Sequence, residues 1–461
     1  MKLKLSIKSI HHSQAVEKSV NHEYIKLLIL HVAIAYGIYL HEGLADIYFF
    51  TVVGYFLFIT FQNQNRNNEA LWGAAYISGA EVFWRMTDAL IFYETGKYGV
   101  IVFLTIGLIF KGASVKTASY WVYLLILFPG IVIASMALDY DIEFRKAIAF
   151  NLSGPVCLGV SAVYCYYKKI TRLQIEKVVV MLLLPLLATM FYLYFYTPTL
   201  QESLVTLSGN YIATAGYGPN QISTIFGLGF FLLITRLFVI RSKMINIIDF
   251  ILLGMMAYRA IVTFSRGGVL GGLVCTAAFI IILFYLQGDK GRLRMRIKMM
   301  IISAIVFLSW LYSTIRTGGL IIYRYTNRNA SGDVKEDFTT GRIGLIETSL
   351  EGFYHNPVLG LGVGKGYDFR QEQLGINIAS HNEFSRLLSE HGLLGVIAIL
   401  ILIFVPVLFW IKFKNNYYFL GFMAFWFLTV SHSAMRIALP AFIYGLALLY
   451  IVDEKKNIIH R

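Results

Sequence analysis

Apolar stretches long enough to cross a bilayer recur along most of this chain, and that repetition limits its fold more than any motif does. A helix crossing roughly 30 Å of hydrocarbon needs about 20 apolar residues. Windows that approach or reach this length fall at 25–40, 46–61, 71–93, 98–110, 120–137, 147–166, 177–197, 221–240, 244–263, 267–287, 298–315, 392–412, 417–434 and 436–453. The chain is 57% hydrophobic and only 14% charged, a ratio that soluble domains do not carry. Its first residues, through Tyr24, are polar and mixed, without the basic start and apolar core of a cleavable signal. Cys157, Cys165 and Cys275 lie inside apolar stretches without metal-ligand spacing, so they read as packing residues.

The net charge of +14 invites a nucleic-acid reading until its distribution is examined. With the N-terminus set on the cytoplasmic side, twenty-four Lys and Arg fall in cytoplasmic segments. The short loops of the far side hold five: Lys97, Arg145, Lys146, Arg266 and Arg436. That asymmetry is the positive-inside signature, so most of the charge is topological. Two long connections are then expected outside, 198–220 and 316–391. The second is far longer than a connector requires, mixes Gly turns with aromatics, and reads as folded. The expected division is a cytoplasmic segment 1–24, a helix bundle 25–315, a large periplasmic loop 316–391, membrane helices 392–453 and a cytoplasmic tail 454–461.

Candidate chemistry gathers on the far side. In "SHNEFSRLLSEHG", Ser380 and Glu383 have the spacing of a capping box. A helix from His381 to about Glu390 is expected, with His381 at its N-terminus, where the dipole favours a neutral imidazole able to accept a proton. The competing reading is that His381 only caps that helix at a wet interface. In "VTFSRGGVLGGLV", Ser265-Arg266 turns between two spans, and Gly267/Gly271 and Gly268/Gly272 form two small-xxx-small pairs. An Arg opening a glycine-lined helix suits a diphosphate, with Arg259 as support; the alternative is an arginine snorkelling to headgroups. The amides of Asn220-Gln221 suit a hydroxyl-rich ligand or act as ordinary caps. "TTGRIGLIETSLEGFYHNPVLGLGVGKG" opens with an amphipathic helix carrying Arg342 on its polar side and ending at Asn356-Pro357. Its glycines do not make a nucleotide loop, because Leu359 stands where G-x-x-x-x-G-K needs Gly.

The order "SRGG", "GRIGLIETSLEGFYHNPVLGLGVG", "HNEF…SEHGLLG" resembles the bacterial O-antigen ligase/polymerase family over about Asn220 to Gly395. The family's arginines, "nP-l-G-G-G" turn and His-Asn pair fall on Arg266, Arg342, Pro357 with Gly360, Gly362 and Gly364, and His381 with Asn382. With about fourteen windows here against about twelve common in the family, the expected fold is an all-α polytopic membrane protein of about 12–14 transmembrane helices with a large folded periplasmic loop. The resemblance implies a metal-independent glycosyltransferase without cofactor in the inner membrane, both termini cytoplasmic. It would move a glycan from undecaprenyl diphosphate to an acceptor hydroxyl of lipid A–core at the periplasmic face. It further implies His381 as base, Arg266 and Arg342 on the leaving diphosphate, and Asn382, Arg259, Asn220 and Gln221 at substrate. Its partners are then the lipid-linked donor, the glycan acceptor and membrane lipids, with no nucleotide and no nucleic acid. A repeat-unit polymerase shares donor and chemistry. A flippase would need internal repeats and midplane charges, and no half-to-half repeat is present.

Overall fold

The computed structural model of this protein describes residues 14–138, 143–196, 210–286, 289–329, 332–334, 341–375 and 378–452. The helices are α1 (Gln14–Leu40), α2 (Leu44–Gln62), α3 (Glu69–Met86), α4 (Thr95–Lys111), α5 (Ala118–Ile126), α6 (Phe128–Ala137) and α7 (Glu143–Cys165). There follow α8 (Arg172–Tyr196), α9 (Pro219–Val239), α10 (Lys243–Val262), α11 (Arg266–Leu286), α12 (Asp289–Arg316) and α13 (Leu320–Tyr325). The remainder are α14 (Arg342–His355), α15 (Gly366–Leu374), α16 (Glu383–His391), α17 (Leu393–Phe413), α18 (Phe419–Ser433) and α19 (Leu439–Ala447).

The fold is all-α and polytopic. Ten spans among the described residues are long and apolar enough to cross a membrane, the stretch through α5 and α6 counting as one. That is fewer than the expected 12–14. The windows at 71–93, 98–110, 417–434 and 436–453 become α3, α4, α18 and α19, which fall short. α3 carries three charged residues, Glu69, Glu81 and Arg85. α19 has nine residues, about 14 Å of helix. Beyond it the backbone extends as β2 (Tyr450–Val452), paired in parallel with β1 (Lys169–Thr171) through the register Ile170 to Ile451. The far-side connection expected at 198–220 lies mostly outside the described residues.

The chain divides into two compact units, residues 1–48, 82–89 and 183–334, and residues 49–81, 90–182 and 335–461. In the first, α9 is nearly all buried and packs most extensively on α11 and α10. Of the two small-xxx-small pairs, only Gly268/Gly272 serves this contact. A methyl group on Gly272 would stand 2.6 Å from the Gly227 carbonyl oxygen, and one on Gly268 would overlap the Ser223 carbonyl. Gly271 faces open space. The α1, α9 and α10 helices are tied by Asp249, which accepts from Tyr24 Oη at 2.8 Å and pairs with Arg236 at 3.1 Å. A buried carboxylate of this kind persists only because both oxygens are satisfied.

In the second unit, α7 packs against α4, α5 and α19. Lys97, which the topology count assigned to a short loop, is fully buried in the first turn of α4, its Nζ 3.0 Å from Ser153 Oγ. Asn416 Nδ2 donates to the carbonyls of Leu446, Ala447 and Leu449, satisfying the end of α19. Glu81 accepts from the Ala438 amide at 2.6 Å and satisfies its start.

Because Gly272 meets backbone rather than a movable side chain, Gly272→Val should destabilise the protein by about 1–3 kcal/mol or more. Gly271→Val should be near neutral. Melting of the two variants in detergent measures the difference.

Candidate active site

The segment before α16 is extended, and α16 begins later than the sequence suggests. Its cap is Asn382, whose Oδ1 accepts from the Ser385 amide at 3.0 Å. Ser380 does not form the expected capping box; its hydroxyl bonds locally to the Asn382 backbone. Asn outranks a distant Ser here because it stands directly at the turn into the helix. Glu383, freed from the box, turns inward. His381 therefore lies one residue before the cap, not on the helix.

The buried face of α16 is ionic. Arg386 sits between Glu383, which it contacts through Nε at 3.4 Å and through a close Nη2 bond, and Glu390, at 2.8 Å from Nη1. Each carboxylate then receives a backbone amide from another segment: Met435 N to Glu383 at 3.3 Å, and Gly364 N to Glu390 at 3.1 Å. The glycine turn is held further by Leu361 N to Ser389 O at 2.8 Å, Gly362 N to Glu390 O at 3.1 Å and Val363 N to Gly130 O at 3.0 Å. Gly360 and Gly362 have φ of 76° and 92°. A side chain on Gly362 would stand 2.7 Å from the Ala134 amide nitrogen. Backbone thus meets backbone, and this run is a structural turn. His391 at the end of α16 is buried beside Gly130, and burial, with Arg386 adding to it, lowers its pKa to about 3.

The corner after α18 clasps His381-Asn382 from the other side. Asn382 Nδ2 donates to the Ser431 carbonyl at 3.1 Å, and the Ala434 amide donates to the His381 carbonyl at 3.0 Å. Both ends of the Asn382 amide are thus engaged within the protein, so the residue expected at substrate acts as an anchor. Two arginines reach the segment just before His381: Arg370 Nε to Ile378 O at 2.8 Å, and Arg436 Nη2 to Ala379 O at 3.5 Å. Arg342 opens α14 after Gly341 and also acts on the His381 ring. Burial first, then Arg436, Arg342, His432 and Arg370, lowers the His381 pKa to about 4. The imidazole is therefore neutral at physiological pH, and among the described residues no hydrogen bond holds its ring. Arg342 and His381 come together as expected. Arg370, Arg436 and His432 were missed, because their signal is proximity in space, for His432 and Arg436 across roughly 50 residues of sequence.

The first unit contains Arg266 at the start of α11. Asn220 Oδ1 accepts from Ser265 Oγ at 2.8 Å, and Ser223 Oγ donates to the Ser265 carbonyl at 2.9 Å, so the turn is pinned to α9. Asn220 has thereby the structural role of its two readings, while Gln221 lies in the first turn of α9. Phe264, with φ of 58°, sits on a core of Ala213, Ile261, Val262 and Ile321, and its carbonyl accepts from Arg324 Nε at 2.8 Å. Tyr325 packs against the same core; burial pushes its phenol up to about 12 while Arg266 and Arg324 oppose the shift. Arg259 is 2% exposed, its guanidinium 4.3 Å from the Tyr194 ring centroid and one amino group on the Leu193 carbonyl. These contacts set Arg259 against α8.

Residues 250–400 match the family model described as O-antigen ligase. That stretch contains Arg266, Arg342, the glycine turn, His381 and Asn382 in the family's order. That stretch, rather than the chain as a whole, carries the match to the O-antigen ligase family. The match begins later than the resemblance read from Asn220, and it leaves Ser431, His432 and Arg436 outside. Curated proteins yield no match to the chain. Members of that family are glycosyltransferase-type membrane enzymes.

Removing Arg386 leaves two buried carboxylates facing each other, so Arg386→Leu should cost about 3–5 kcal/mol. Melting in detergent and protease resistance of the 341–391 region should both fall. A variant as stable as wild type would show that the ion triad is dispensable.

Proposed function

We propose that this protein transfers a glycan from a polyprenyl diphosphate, undecaprenyl diphosphate in bacteria, to a sugar hydroxyl of lipid A–core at the periplasmic face of the inner membrane. The observation that carries the reading is a neutral histidine set among cations, on the backbone of the family's His-Asn pair. In the proposed reaction the acceptor oxygen attacks the anomeric carbon and the bond from that carbon to the diphosphate breaks. The hydroxyl proton passes to His381, and the carrier lipid departs as the diphosphate. Arg342 offers charge to the departing diphosphate beside His381, and the family resemblance proposes Arg266, with Asn220 and Gln221, for donor binding. Asn382 acts through the position it gives His381. Termini on the cytoplasmic side follow from the Lys and Arg bias. A polymerase of the same family would use the same donor and base, with a growing chain as acceptor.

The arginines that depress His381 are those a diphosphate would neutralise. Donor binding should therefore raise its pKa from about 4 and strengthen the base as the donor seats. A free-enzyme pKa near 4 governs kcat/KM, and the loaded-enzyme pKa governs kcat. Protonation inactivates the base, so both rates should fall on acidification, kcat at the higher pH. Coincident limbs would remove the coupling between donor and base.

His381→Ala should abolish transfer, a loss of roughly 10²–10⁴-fold for a general base, with the protein still inserted and folded. A surface-glycolipid gel of cells lacking the gene separates the outcomes. Bare core with polymer stranded on the carrier means ligase, and a single repeat on the core means polymerase. An unchanged ladder would refute both.

A further inference from the structure

The lowest-energy proton position on His432 follows from its contacts. Its Nδ1 lies 2.5 Å from the Leu428 carbonyl oxygen, which can only accept, so Nδ1 carries the hydrogen. Nε2 then holds the lone pair. That atom is buried and has no hydrogen-bond partner among the described residues. A buried acceptor left unsatisfied is costly, and in a binding site it marks a place where a donor arrives.

The backbone brings His432 close to His381. Residue 432 lies between Ser431, whose carbonyl receives Asn382 Nδ2, and Ala434, whose amide reaches the His381 carbonyl. The two anchors bracket the histidine within three residues. A proton on His432 would oppose one on His381, and Arg342 acts on both rings.

The proposed reaction leaves a positive charge on His381 amid arginines. A histidine base ordinarily has a second acceptor behind it that fixes its tautomer and steadies the imidazolium. Among the described residues, the groups acting on His381 are Arg436, Arg342, His432 and Arg370, with no carboxylate. Glu383, the acid next in sequence, is turned into the Arg386 triad. A carboxylate beside the ring would also draw the arginines away from a diphosphate. A neutral lone pair performs the orienting role without that penalty.

We infer that His432 is a positioning residue for His381: in the donor-loaded site its Nε2 accepts the N–H of the His381 ring, leaving the opposite His381 nitrogen free to take the acceptor's proton. His432 keeps its own Nδ1 hydrogen throughout, and no proton moves onto it. This inference rests on the transferase reading above.

Two substitutions divide its two ring atoms. His432→Asn keeps a donor near Nδ1 for the Leu428 carbonyl but has nothing at Nε2. His432→Gln extends an amide toward Nε2 and gives up the Leu428 bond. Initial rates of glycan transfer would be measured in membranes of the gene-deleted host, which contain both donor and acceptor, with each variant's melting temperature in detergent matched against wild type. The expected result is a loss of roughly 100-fold or more for His432→Asn and substantial retention for His432→Gln. Retention in Asn with loss in Gln would assign His432 a packing role and overturn the inference. Equal loss in both folded variants, or wild-type rates in both, would overturn it too. His381→Ala serves as the control. If that variant is active, the transferase reading itself fails; if it is inactive while His432→Asn is active, only the pairing fails.

Discussion

Arg386 is the charge on which the second unit's candidate site depends. Its guanidinium is buried between Glu383 and Glu390, and each carboxylate collects the amide of a segment distant in sequence. One amide belongs to the glycine turn at Gly364 and the other to the corner at Met435. The ion triad therefore does more than satisfy itself. Removing such charges from water is costly, and only the close pairing with two further N–H donors makes the burial tolerable. The same arrangement explains why a nine-residue helix with a polar buried face is stable: its polar groups find their partners in neighbouring elements.

That framework creates an electrostatic setting which a free loop would not sustain. Arg342, Arg370 and Arg436 come from three separate elements and act on one partly buried imidazole. Two of them bond to the carbonyls of Ile378 and Ala379, so the cations are fixed near His381 by the backbone they hold. Like charges gathered this way repel unless an anion is expected, and a diphosphate is the anion the proposed chemistry supplies. Of the five basic residues that the sequence assigns to the sparse side of the membrane, Arg266 and Arg436 fall at the two candidate sites. Lys97 is consumed by packing on Ser153.

Much of this was legible from residue order. The helices of the bundle follow from apolar length, and the three blocks carrying Arg266, Arg342 and His381 give the family. The failures are local and physical. Ser380 and Glu383 have capping-box spacing, yet Asn382 takes the cap because a buried arginine competes for the glutamate. The window at 436–453 is apolar enough for a helix, but its last residues pair with β1, which only the three-dimensional neighbour makes available. Arg259 has the right spacing to assist Arg266 but lies against Tyr194, a choice made by the packing of α8 on α10.

The sequence by itself determined that this chain spans a membrane many times and that its candidate chemistry is histidine and arginine near glycine turns. Those properties depend on transfer free energy and on short-range spacing, which act along the chain. The tertiary structure decided which cations surround His381, which way the Asn382 amide points and which nitrogen of His432 carries a lone pair. Each of these depends on a contact between residues from different helices and turns or on one carbonyl's direction, and no local pattern encodes either.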